Sequence, residues 1–229
     1  MGAEHVGAIP EARQTEGPGD RAARADLVSY GRDLLARGLL SQTSGNLSIR
    51  LGDEVFITPT SMEYDLIEPS DIVVVGLDAV VRRGSHRPSS ETPLHCLVYQ
   101  TRPDVSAIVH THSPHATTLA VLGMPIPAVH YMIAVTGTTE IAVADYATYG
   151  TPELARNVRS AFAPPAKAAL IANHGLVAGG TSLKEAASVA EAVETLAGLY
   201  YRALAIGKPV VLNDDQMAEV LVKYHAKER

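Results

Sequence analysis

The sequence predicts a single mixed domain of the α+β kind, with a central, largely antiparallel sheet flanked by helices. Three observations predict it. The apolar runs are short, of strand length, and often come in pairs separated by a tight turn. Helix starts of the Thr-Pro or Ser-Pro type alternate with those runs at 92–93, 113–114 and 151–152. No repeat and no low-complexity linker divides the chain after its first twenty or so residues, so residues 22–229 are expected to form one domain. Residues 1–21, rich in Gly, Pro and Glu and without a period, are expected to form a flexible arm.

The first helix is expected over Arg21–Arg37, where Leu27, Tyr30, Leu34 and Leu35 recur at helical spacing and Gly38 stops the run. Leu47, Ile49 and Leu51 alternate with Asn46, Ser48 and Arg50, the pattern of a half-buried strand. Val55–Thr58 and Ile72–Val75 are two more strands. Thr92 as N-cap and Pro93 in the first turn open a helix that reaches Arg102. Val105–His110 is a strand leading into a helix at Ser113-Pro114. A further helix runs from Thr151-Pro152 to Phe162. Ala168–Ala172 and Leu176–Ala178 are strands on either side of a turn. Ser182 and Glu185 make a capping box for a long helix that ends at Gly207, and Met217, Val220, Leu221 and Tyr224 mark a last helix.

Composition excludes several classes. With 229 residues and 46% hydrophobic content the chain can bury a sizeable core. No run approaches the 18 apolar residues of a membrane span, and no apolar segment of signal-peptide type opens the chain. A net charge of −6 and the absence of Trp argue against a nucleic-acid surface. The lone Cys96 excludes an internal disulfide and fits a cytoplasmic location.

The chemistry concentrates in the histidines. His110 and His112 flank Thr111 on a strand, so their rings project to one face and can converge on one ion, although two satisfied histidines would give the same spacing. His174, at a strand end and followed by Gly175, offers a third imidazole. Three histidines without a cysteine suit Zn²⁺ with an open coordination position, with Co²⁺ or Mn²⁺ as substitutes. Ser89, Ser90 and Glu91 precede a helix start. Hydroxyls and free N–H groups there can hold a phosphate, or simply cap the helix. Glu91 is the one carboxylate of that segment and a candidate acid/base group beside a cation, or else a first-turn glutamate favoured by the helix dipole. Thr43–Asn46 and Thr58–Ser61 are two further hydroxyl- and amide-rich turns.

The segments Thr43–Asn46, Ile57–Thr60, Pro88–Glu91, His110–His112, Ile126–Tyr131 and Asn173–Gly175 occur in the order found in the class II aldolase/adducin-head superfamily, which the chain resembles from about residue 22 onward. Within that superfamily the likeness is greatest to the L-fuculose-1-phosphate aldolases. The resemblance implies the fold described above. It also implies a zinc enzyme that cleaves a ketose 1-phosphate to dihydroxyacetone phosphate and a short aldehyde such as L-lactaldehyde, through a metal-stabilised enediolate. It places metal ligation on His110, His112 and His174, and acid/base work on Glu91. Phosphate binding falls on Asn46, Thr60, Ser61, Ser89 and Ser90, with Thr43 nearby. An aldehyde-side proton donor falls on Tyr131, acting in a neighbouring subunit's site within a homotetramer. Ser61 stands where those aldolases commonly have Gly. Alternative readings are a pentulose-5-phosphate 4-epimerase or a sugar-acid phosphate decarboxylase of the same superfamily, and, of another kind, a non-catalytic adducin-like scaffold.

Overall fold

The computed structural model describes residues 16–227. Its first helix, α1 (Pro18–Ala36), begins inside the stretch expected to be an arm. Pro18 sits in the first turn, where its missing N–H costs nothing, and Asp20 opposes the positive helix end. The rest of that stretch, residues 1–15, lies outside the described residues.

Eight strands form one sheet: β1 (Asn46–Leu51), β2 (Glu54–Ile57), β3 (Val73–Gly76), β4 (Val81–Arg83), β5 (Ala107–Thr111), β8 (Val143–Ala144), β9 (Ala168–Ile171) and β10 (Gly175–Gly180), in the order β4-β3-β2-β1-β5-β10-β9-β8. Every pairing is antiparallel except β8 with β9. Two further short strands, β6 (Ile126–Pro127) and β7 (Glu140–Ile141), pair with each other alone. The other helices are α2 (Thr92–Thr101), α3 (Pro114–Val121), α4 (Pro152–Ala161), α5 (Leu183–Ile206) and α6 (Asp214–Lys227). None is long and apolar enough to cross a membrane.

The central strands are apolar on both faces because helices cover both. Leu47, Phe56, Val74, Val109, Leu170 and Leu176 face one core with Leu27 and Leu34 of α1, Leu119 of α3 and Val189 and Val193 of α5. Val55, Ile57, Val73, Ile108, Ala169 and Val177 face the other with Leu94 and Val98 of α2 and Leu154 and Val158 of α4. Two-residue alternation then fixes the remaining side chains. Ser48 and Asn46 lie on the α2 face because Leu47 lies on the other, and His110 lies there because Val109 does not.

Two helix starts differ in detail from expectation. Glu91, not Thr92, occupies the N-cap position of α2, and its side chain caps nothing. Ser89 takes over that work: the Glu91 N–H donates to Ser89 Oγ (3.2 Å), and Thr92 Oγ1 donates to the Ser89 carbonyl (2.6 Å). At α5, Ser182 Oγ accepts from the Glu185 N–H as expected, but the Glu185 carboxylate turns to the N–H and hydroxyl of Thr181 and to Lys167 instead of closing the box.

Candidate metal centre and substrate cleft

Three sheet elements and one helix end meet at a cleft of about 360 Å³. Asn46 opens β1, His110 lies at the end of β5 with His112 just beyond it, His174 closes the β9–β10 turn, and Glu91 stands at the N-terminus of α2. Antiparallel pairing brings them together from distant parts of the chain: Asn46 is opposite His110, and His110 is opposite Val177.

The turns that present these groups depend on local backbone chemistry. Gly45, at φ +80°, packs so tightly on the His110 carbonyl that a side chain there would collide with it. Gly175 follows His174 at this turn, yet its own φ is not left-handed. Asn173 takes the left-handed conformation (φ +54°), as an amide residue can do at modest cost. Gly175 is needed instead because β10 crosses the Thr111 carbonyl and the His112 ring too closely for any Cβ.

The three rings form a near-equilateral triangle, with centroids 4.8–4.9 Å apart. His110 Nδ1 donates to the Leu176 carbonyl (2.8 Å), so in the neutral ring the lone pair falls on Nε2, the atom nearest the other imidazoles and Glu91. That atom lies 3.0 Å from His112 Nε2 and 2.9 Å from Glu91 Oε2. His174 Nε2 lies 3.3 Å from Glu91 Oε1. One ligand atom from each of the four residues falls within 4.8 Å of all the others.

Electrostatics suit a cation. Burial, then the neighbouring His110, pushes His112 and His174 down to about 4, so both are neutral at physiological pH, as ligation of a metal requires. Burial also opposes a charge on His110, but the Glu91 carboxylate beside it outweighs this and raises it. Burial would raise Glu91. The imidazoles of His110 and His174 and the Asn46 amide overcome it and hold the carboxyl well below the usual range. Glu91 Oε1 is buried and has no hydrogen-bond partner. An orphaned carboxylate oxygen beside three convergent imidazole nitrogens fits a divalent cation of the zinc kind.

Among the described residues the cleft wall holds Thr43, Ser44, Asn46, Thr60, Ser61, Ser89 and Ser90 and no Lys or Arg. Two of the three hydroxyl-rich segments, 58–61 and 88–90, are fastened to each other: Pro59 bridges Pro88, Thr60 N donates to Arg87 O, and Ser89 N donates to Thr58 O. Ser61 sits at φ +57°, a conformation natural to the Gly expected at that position in the resembling aldolases. The structure thus gathers every predicted cleft residue with Glu91, His112 and His174, and closes the floor with the fully buried His110.

Tyr131 is elsewhere. It begins a 3₁₀ turn, stacks on His130 at 4.6 Å and lines an apolar groove with Met132, Val135, Ala192 and Val220. It is 58% exposed. Two tyrosines to which sequence reasoning gives no role, Tyr146 and Tyr149, form the remaining cleft wall with Ala147. They precede the Thr151-Pro152 helix start, and nothing in their spacing marks them as site residues.

Residues 25–201 match the family described as Class II Aldolase and Adducin N-terminal domain. A 5-methylthioribulose-1-phosphate/5-deoxyribulose-1-phosphate aldolase of Rhodospirillum rubrum is 44% identical over 208 residues, covering 90% of this chain and 93% of the relative. An L-fuculose phosphate aldolase of Escherichia coli O6:H1 is 44% identical over 188 residues, covering 82% and 86%. Among solved structures, an L-fuculose 1-phosphate aldolase superposes with a TM-score of 0.86 at 42% identity, over 89% of this chain and 96% of the other.

Proposed function

Because the chain belongs to the class II aldolase and adducin N-terminal domain family, we propose that it is a divalent-metal-dependent aldolase joining and splitting a ketose 1-phosphate at the bond between dihydroxyacetone phosphate and a short aldehyde. The observation that supports this most is the convergence of Glu91, His110, His112 and His174 at the floor of a cleft whose walls are hydroxyls. The metal is Zn²⁺ in this reading, with Co²⁺ or Mn²⁺ as substitutes, bound by the three imidazoles. When bound it supplies a Lewis acid for charge developing on the ketose oxygens. The compartment proposed is the cytoplasm, and residues 22–229 act as one catalytic domain.

The chain's own groups do the rest. Thr43, Asn46, Thr60, Ser61, Ser89 and Ser90 offer short polar groups to a phosphate without a cationic side chain among them. In the synthetic direction, Glu91 Oε1 accepts the proton leaving C3 of dihydroxyacetone phosphate, because Oε2 is already held by Asn46 Nδ2 (3.0 Å). The C3 electron pair forms the new bond to the aldehyde carbon. The aldehyde oxygen takes a proton from a Tyr131 phenol, which this chain presents to a neighbouring copy in a homotetramer and not to its own cleft.

With the phosphate half assigned to the hydroxyl turns, Tyr146, Ala147 and Tyr149 remain to meet the aldehyde. Aromatic and methyl surface favours an apolar tail, as in 5-deoxy- or 5-methylthioribulose 1-phosphate, over the hydroxylated tail of L-fuculose 1-phosphate. The zinc-loaded protein is to be offered these three ketose 1-phosphates, a panel of pentulose 5-phosphates and phosphorylated sugar acids. Release of dihydroxyacetone phosphate, fastest from the two deoxy-type substrates, is the expected result. Isomerised pentulose 5-phosphates identify an epimerase, and released CO₂ a decarboxylase. A protein with neither bound metal nor turnover is a scaffold.

A further inference from the structure

His95 has no place in the chemistry above, yet it is fully buried and lies one helical turn after Glu91 on α2. Its Nε2 is 2.5 Å from Asn46 Oδ1, and its Nδ1 is 2.6 Å from Ser48 Oγ. Ser48 Oγ is in turn 2.7 Å from the Tyr99 hydroxyl. Asn46 Nδ2 completes the series on Glu91 Oε2. Five side chains from β1 and α2, all of them buried, thus form one chain of hydrogen bonds ending at the carboxylate.

The donors in this chain can be assigned by elimination. A carboxylate only accepts, so the Asn46 NH₂ must face Glu91 and its Oδ1 must face His95. His95 therefore carries its proton on Nε2. Burial pushes this imidazole down to about 3, so the ring is neutral and Nδ1 is an acceptor. Only the Ser48 hydroxyl can donate to it, which leaves Ser48 Oγ to accept from Tyr99 at 2.7 Å, the Ser48 carbonyl being a second, longer acceptor for the same phenol proton at 3.1 Å. Every bond points toward Glu91, and bonds aligned in this way polarise one another.

We propose that His95 is a positioning residue for Glu91. Acting through Asn46, it fixes the carboxylate rotamer so that Oε2 is held and Oε1 faces the reacting carbon. An apolar side chain in this core would cost less to bury than a histidine and its hydroxyl partners. What the imidazole adds is a rigid donor aimed at the one amide that touches the proton-transferring group. Asn46, lining the cleft, is then primarily part of this support, with only its second Nδ2 hydrogen left for a ligand.

The inference rests on the proton-transfer role proposed for Glu91, and the test separates the two. In ¹⁵N-labelled metal-loaded protein, His95 must be the neutral Nε2–H tautomer across the neutral pH range. The Nδ1–H tautomer or a charged ring overturns the inference whatever the reaction proves to be. Wild-type protein is then given dihydroxyacetone phosphate in D₂O. Absence of exchange at C3 rejects the proton-transfer reading itself, and with it the positioning role built on that reading, even where the nitrogen spectrum shows the expected tautomer. Where exchange occurs, His95→Leu is expected to slow it about 10²-fold, with KM and the zinc dissociation constant each within about threefold of wild type. His95→Gln, which keeps a donor near Nε2, is expected to recover most of the rate. Equal losses in both variants, or a parallel loss of zinc affinity, mean a structural role. Should His95→Leu fail to fold, Tyr99→Phe removes the first donor of the same chain and is expected to lower the exchange rate severalfold at unchanged KM; an unchanged rate overturns the inference.

Discussion

The cleft and the Tyr131 groove are built to opposite specifications. The cleft is polar, sits where four elements cross, and has its key side chains locked: His110 by the Leu176 carbonyl, Glu91 by Asn46, and Ser89 by the α2 backbone it caps. The groove is apolar, lies on a 3₁₀ turn packed against α5 and α6, and leaves Tyr131 58% and Met132 40% exposed. One region gathers Glu91, His110, His112 and His174, a set that could hold a metal ion, under hydroxyl-rich walls. The other presents a phenol on a mainly apolar surface, with His130 stacked on it and Lys223 at the groove. On the proposed reaction, a single copy of the chain is therefore equipped for half of an aldol addition, and the other half requires a second copy.

Removing the proton carrier gives the largest effect. Glu91→Gln keeps the shape and the Asn46 contact but cannot accept a proton, so kcat is expected to fall about 10²–10⁴-fold. Metal content, measured by elemental analysis after gel filtration, is expected to remain stoichiometric, because the three imidazoles still converge. Loss of the metal with the rate would show that Glu91 acts as a ligand, and the cleft would no longer be divided into a binding trio and a separate proton carrier.

The groove is tested by mixing copies. Tyr131→Phe alone is expected to lower cleavage about 10²-fold while leaving C3 exchange of dihydroxyacetone phosphate nearly intact. When Glu91→Gln and Tyr131→Phe chains are co-expressed in equal amounts, random assembly pairs an intact Glu91 with a neighbour's intact Tyr131 in about a quarter of sites. Activity near that fraction of wild type is the expected result. If Tyr131 serves its own chain, no mixture recovers activity, and the two regions are independent.

The same contrast explains how much is legible in the sequence. The sheet is readable because its strands are short apolar runs, and the metal trio because His-x-His on a strand must point one way. The hydroxyl-rich turns of the cleft are readable only as a set of separately ordinary turns. The His95 relay is not readable, although Glu91 and His95 stand at i and i+4 and Asn46 and Ser48 alternate on one strand face. Its meaning depends on β1 lying under α2, which no local pattern states. Tyr146 and Tyr149 escape sequence reasoning for a similar reason: an irregular segment between β8 and α4 brings them to the cleft. Thr92 reads as the N-cap because it precedes Pro93, whereas Ser89, three residues earlier, supplies the capping hydroxyl.

The smallest expected effect sharpens the cleft side of the comparison, at Ser61. A serine at φ +57° is strained by roughly 1 kcal/mol relative to glycine, while glycine gives back part of that through the greater freedom of the unfolded chain. Ser61→Gly is therefore expected to raise Tm by at most about 2–4 °C. If strain were the only consequence of this serine, the variant would be more stable and kinetically unchanged. The Ser61 hydroxyl, however, lines the cleft 3.4 Å from that of Thr60, so a second short donor is available to a phosphate oxygen. Losing a hydrogen bond to a charged oxygen costs about 1.5–3 kcal/mol, which corresponds to a KM increase of roughly tenfold or more. A rise in both Tm and KM, with kcat near wild type, would show that stability is given up at Ser61 for a grip on the substrate. A rise in Tm alone would remove Ser61 from the binding surface and leave the phosphate to the remaining hydroxyls.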